Sequence, residues 1–60
     1  MIEIKELDIV ELKNGQRATV LEVFEQGEAY LVEIADESGK TLDMPTVKAN
    51  DIKRVTWVSS

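Results

Sequence analysis

Neither cysteine nor histidine occurs in this chain of 60 residues. The first absence removes disulfides and thiolate metal sites together, and it fits a reducing compartment or indifference to redox state. The second leaves structural zinc without a ligand set and takes away the usual general base near neutral pH. Proline occurs once, glycine three times, and Phe24, Tyr30 and Trp57 are the three aromatics. No apolar run approaches the roughly 20 residues that a membrane-spanning helix needs. Charges break up Met1-Ile2-Glu3-Ile4-Lys5-Glu6 too early for a signal peptide. Basic residues are also scarce, seven against twelve acidic ones, for a formal charge of −5. An acidic surface repels phosphate backbones and anionic membranes and keeps a small domain in solution. The expectation is a cytoplasmic protein with no membrane partner.

What the chain does contain suits short β-strands. Sixty residues make one domain at most. A chain of this length buries only roughly 60% of the surface its unfolded form exposes, so the core must be economical. The glycines fall between apolar stretches. Asn14-Gly15 has the composition of a type I′ hairpin turn, with positive φ at both residues. Gln26-Gly27 is a second turn, and Asp36 to Lys40 suits a type I turn closed by Gly39 in the left-handed region. Turn signals at such regular spacing mark a small sandwich or barrel.

Five strands are expected between these turns. Leu7 to Leu12 offers Val10 and Leu12 to one face, with Asp8 on that face near the entrance. Arg17 to Phe24 is rich in β-branched residues. Ala29 to Ile34 alternates, with Tyr30, Val32 and Ile34 on one side. Thr41 to Met44 is weaker and ends at Pro45, which belongs at an edge or exit. Ile52 to Val58 places Val55 and Trp57 on one side, Arg54 and Thr56 on the other. Val20 and Val23 are three apart, so either a β-bulge near Leu21-Glu22 re-aims the chain or that strand is buried on both faces. A single 3₁₀ turn is expected within Val47 to Ile52, before the last strand. In Met1 to Leu12 the strand-like alternation of Ile2 and Ile4 outweighs helical spacing, because no cap residue opens the segment. Ser59-Ser60 reads as a frayed end. The expected core is Val10, Leu12, Val20, Val23, Tyr30, Val32, Ile34, Leu42, Ile52 and Val55, with Phe24 also inside.

The run Leu7-Asp8-x-Val10-x-Leu12, Gly15, then Ala18-Thr19-Val20-x-Glu22-Val23-Phe24 resembles the KOW or SH3-like pattern, with Ala18 where that pattern usually has glycine. Over nearly its whole length the chain is also similar to a family of short bacterial proteins catalogued only as a domain of unknown function. The matching pieces are Leu7-Asp8-Ile9-Val10, Ala18 to Val23, Tyr30-Leu31-Val32-Glu33-Ile34, the acidic turn Asp36 to Gly39, and Asp51-Ile52-Lys53-Arg54-Val55. The resemblance implies a five-stranded antiparallel SH3-like barrel, all-β, and brings no established activity.

Chemistry-bearing groups are few. Asp36, Glu37, Asp43, Glu25 and Glu28 supply carboxylates, but an acid–base pair needs a cleft that shifts one pKa. A barrel this small is filled by its own side chains. Ser38, Ser59 and Ser60 have no base to activate them. These carboxylates read as solvated turn residues. Asp36-x-Ser38-Gly39 with Asp43 lacks the spaced ligand run of a calcium loop. No enzyme, cofactor, metal or small-molecule substrate is expected.

Two binding readings remain. Lys13 and Arg17 flank the first hairpin turn, and Lys53-Arg54 could join them, as a nucleic-acid module would require. Net acidity and the shortage of aromatics for stacking count against it. For protein binding, Trp57 either plugs one mouth of the barrel, the preferred reading, or stands exposed as an interface anchor. Met44-Pro45-Thr46-Val47 is a second contact patch, unless it is ordinary core. Trp57, Met44 and Val47 are therefore the candidate partner-binding residues. The expected function is a non-enzymatic interaction or accessory module whose partner is another protein or its own copy. The rival is a nucleic-acid-associated module.

Overall fold

The computed structural model describes residues 3–58, so the reading of Ser59-Ser60 as a frayed end lies outside it. Six strands follow one another: β1 (Ile9–Leu12), β2 (Arg17–Glu25), β3 (Ala29–Ala35), β4 (Thr41–Asp43), β5 (Thr46–Lys48) and β6 (Ile52–Trp57). One 3₁₀ turn, Ala49–Asp51, lies directly before β6. All pairings are antiparallel, and the sheet runs β4-β3-β2-β1-β6, with β5 also on β3.

Two features depart from a closed five-stranded barrel. The fourth strand is split at Met44-Pro45: β4 pairs with Ile34 and Ala35, while β5 pairs with Ala29 to Leu31. Proline has no N–H to give to a ladder, but its carbonyl accepts from the Val32 N–H at 3.1 Å, so the break stays tied to β3. The sheet is also not closed. After β5 the 3₁₀ turn carries the chain to the free side of β1, where the Lys13 N–H donates to the Asp51 carbonyl at 2.9 Å. The pairing path therefore ends at β6 on one side and β4 on the other.

The first hairpin is built differently from a type I′ turn. Gly15 has φ +91°, but among the described residues Leu7 alone of the non-glycines has positive φ, so Asn14 does not. The Leu12 N–H donates to the Gln16 carbonyl, and the Gly15 N–H to the Leu12 carbonyl. That is a three-residue loop, a turn followed by a left-handed glycine. Asn14 stays in ordinary backbone because its side chain works there: its Oδ1 accepts the Gln16 N–H and its Nδ2 donates to Gln16 Oε1, both at 2.9 Å. Asp36 to Lys40 repeats the design, with Gly39 in the left-handed position as expected.

Bulges shape the long strands. In β2 the register moves from Val20↔Val32 to Glu22↔Leu31, which sets Leu21 out of pairing and decides between the two alternatives in favour of the bulge. Val20 is then fully buried, and Val23 packs partly buried against the same core. A second shift, from Val23↔Tyr30 to Glu25↔Ala29, skips Phe24. Phe24 directly follows the inward-facing Val23 and is turned to solvent rather than into the core.

The core comprises Ile4, Val10, Leu12, Ala18, Val20, Tyr30, Val32, Ile34 and Val47. Val23, Ile52 and Val55 pack partly buried against it. Leu42, expected inside, is 59% exposed. All three residues of β4 face solvent, and the residue reaching the core from that edge is Val47, opposite Tyr30. Ile4 is buried from a segment that is neither helix nor strand. Gln26 holds it there: the Ile4 N–H donates to Gln26 Oε1 at 3.2 Å, and Gln26 Nε2 donates to the Ile4 carbonyl at 2.7 Å. The Tyr30 hydroxyl completes the clamp, donating to Gln26 Oε1 at 3.1 Å and accepting the Gly27 N–H at 2.7 Å. Asp8 is buried, and its carboxylate accepts the Lys5 N–H at 2.9 Å.

Candidate interaction surface

The outward face of the sheet is built from residues that alternate with the core. Trp57, Ile9, Thr19 and Glu33 lie opposite one another across β6, β1, β2 and β3. Beside them Arg54, Glu11 and Arg17 stand across β6, β1 and β2. A bulge explains how Trp57 comes to be there. β6 pairs Val55 with Val10 and Trp57 with Ile9, leaving Thr56 unmatched, its hydroxyl donating to the Ile9 carbonyl at 3.2 Å. The extra residue puts Trp57 on the face opposite Val55. Trp57 is 54% exposed, so it does not plug a barrel mouth. It lines an open depression with Ile9, Arg17 and Thr56.

The second expected patch divides. Met44 is exposed, its N–H bound by Asp43 Oδ1 at 2.9 Å, whereas Val47 is buried against Tyr30. Val47 therefore belongs to the core and leaves Met44 with Leu42 as the apolar surface of that edge. Ile9 was missed as the neighbour of Trp57. Its signal, cross-strand register, depends on a bulge that no local turn residue announces.

The charged residues form a compact group. Arg54 Nε donates to Glu11 Oε1 at 2.7 Å. That bond lowers the Glu11 carboxyl below its ordinary value, helped by the positive charges of Arg54, Lys53 and Arg17. Of the basic residues noted in the sequence, Arg17, Lys53 and Arg54 gather, around a carboxylate. Asp36 also lies below its usual range. The Ser38 hydroxyl, donating to Asp36 Oδ1 at 2.7 Å, is the main cause, with the Lys40 and Ser38 N–H groups adding to it. Asp36 thus organises its own turn. Among the described residues no group of three or more acidic, histidine or cysteine side chains is placed to hold a metal ion.

These features define a class: a small antiparallel all-β domain with an open sheet, its exposed tryptophan on an edge strand. The family model of the domain of unknown function DUF4926 matches residues 3–54, and the chain belongs to that family. No curated protein and no solved structure matches it.

Proposed function

We propose that this domain is a non-enzymatic protein-interaction module of SH3-like architecture, working in the cytoplasm. The carrying observation is Trp57, 54% exposed beside Ile9 on the outward face of an edge strand. Tryptophan is enriched among interface residues that dominate binding energy, and exposing one in a core this small has no folding benefit. The SH3-like kinship is supported by the last strand lying beside the first and by the 3₁₀ turn that precedes it. The nucleic-acid alternative is weaker, because Glu11 stands between Arg17 and Arg54 where a phosphate would have to approach.

The test is capture of a partner by the purified domain, followed by titration of that partner, once identified and purified, against Trp57→Ala. Loss of a side chain that anchors an interface costs about 2 kcal/mol or more, roughly a 30-fold fall in affinity. The variant should keep its circular dichroism spectrum, since Trp57 is largely outside the core. Unchanged affinity for every partner would remove the reading. Salt-sensitive RNA binding that disappears with Arg17→Ala would favour the alternative.

A further inference from the structure

We infer that the partner of this surface is a second copy of the same chain, joined head to tail: the β6 edge of one copy meets the β4 edge of the next. The inference rests on the interaction reading above and names its partner. Among the described residues the open sheet has two ends, β6 and β4, each hydrogen-bonded to a neighbour strand on one side only. Such ends present unpaired backbone groups that can accept another strand. Both ends also expose large apolar side chains. Trp57 and Val58 stand at the β6 end, and Leu42 and Met44 at the β4 end, each more than half exposed.

Charge decides the pairing. The β6 end carries Lys53 and Arg54, the latter paired with Glu11 of β1, and no acidic residue between Ile52 and Val58. The β4 end carries Asp43, and the turn leading into it holds Asp36 and Glu37 against the single cation Lys40. Joining β6 to β6 would bring two copies of Lys53 together, and joining β4 to β4 would oppose two copies of Asp43. Like charges across paired strands are destabilising, and opposite ones favour association. Head-to-tail contact alone sets basic against acidic while covering apolar side chains on both edges. Such heterologous contacts propagate into rings or open chains. Pro45 confines the strand addition to Thr41–Asp43, which keeps it short.

Sedimentation velocity over a rising concentration series tests this directly. The wild-type domain should associate, and high salt should weaken the association about tenfold or more, because the contacts between edges are screened. Lys53→Glu and Asp43→Lys should each reduce self-association, and mixing the two should restore it. Lys53→Glu leaves the Arg54–Glu11 pair intact, and a thermal melt of each variant checks that it is folded. A wild-type domain that stays monomeric at every concentration overturns the inference. So does Asp43→Lys retaining full self-association, since β6 would then be pairing with itself. A monomeric domain that still binds a different protein through Trp57 overturns this inference alone and leaves the interaction reading standing.

Discussion

Removing one oxygen, with Tyr30→Phe, should destabilise the domain more than its size suggests. The Tyr30 ring is 1% exposed, so phenylalanine fills the same space and the core loses no packing. What goes is a hydroxyl that accepts the Gly27 N–H at 2.7 Å and donates to Gln26 Oε1 at 3.1 Å. An intramolecular hydrogen bond is worth about 1 kcal/mol net. Gly27 lies in an exposed turn where water can take up its N–H, and Gln26 Oε1 keeps the Ile4 N–H, so the total comes to about 1–2 kcal/mol. A domain of this length has roughly 3–9 kcal/mol in all. Each kcal/mol moves the midpoint of a small domain by about 4–8 °C, so Tm should fall by about 5–15 °C. Urea denaturation should lower the midpoint concentration with no change in m, because no additional surface is exposed. In a Gln26→Ala background, where the clamp on Ile4 is already lost, the Tyr30→Phe effect should shrink by about 0.5 kcal/mol or more. A shift in Tm within about 2 °C, or full additivity of the two changes, would show that the hydroxyl network does not secure the N-terminal segment.

Leu7→Asn should raise stability. Leu7 has φ +71°, is 62% exposed, and sits third in a turn closed by the Asp8 N–H on the Lys5 carbonyl. That backbone costs a leucine roughly 1–2 kcal/mol and an asparagine much less, so a gain of about 0.5–1 kcal/mol is expected by thermal melt. A lowered Tm would mean that the packing of Leu7 outweighs its strain. Asp36→Asn should narrow the pH dependence of stability. The folded-state pKa of Asp36 lies below the ordinary 3.8, so its contribution is complete above that value and lost as pH falls through the folded value. Urea midpoints of wild type and variant should differ near neutral pH and converge in acid. A difference that persists unchanged at the lowest pH would exclude the carboxylate as its source.

The core was legible in the sequence wherever strands run regularly. β3 alternates without interruption, and Tyr30, Val32 and Ile34 are buried as the pattern required. Val10 and Leu12 follow the same rule. The bulge at Leu21 was legible as one of two alternatives, because two valines three apart cannot share a face of a regular strand. Phe24 and Leu42 were misplaced for different reasons. Phe24 directly follows the inward-facing Val23, so alternation sets it on the outward face, and its aromatic character misled the reading. Leu42 is the apolar residue of a strand that lies beyond the core, and only tertiary register distinguishes it from Val47. Ile4 was placed by side-chain bonds from Gln26 rather than by any periodicity, whereas Asp8 is buried with Val10 and Leu12 as the alternation required. Side-chain-to-backbone bonds of that kind leave no repeating trace in a sequence.

The candidate surface exists because of the same irregularities that hid it. Two of the three aromatics, Phe24 and Trp57, lie at or directly after unmatched strand residues, and both face solvent; Tyr30, in the regular strand, is buried. In an unbroken β6, Val55 and Trp57 would share a face and Trp57 would compete for a core already filled by Val10, Tyr30 and Val32. The unmatched Thr56 separates them, and its hydroxyl bond to the Ile9 carbonyl holds the displaced register in place. Exposing Trp57 is therefore a consequence of backbone geometry built into β6, which keeps the side chain out of an interior already occupied. A strand that spends a residue to turn its largest side chain outward, at the uncovered end of a sheet, has the arrangement of a contact edge.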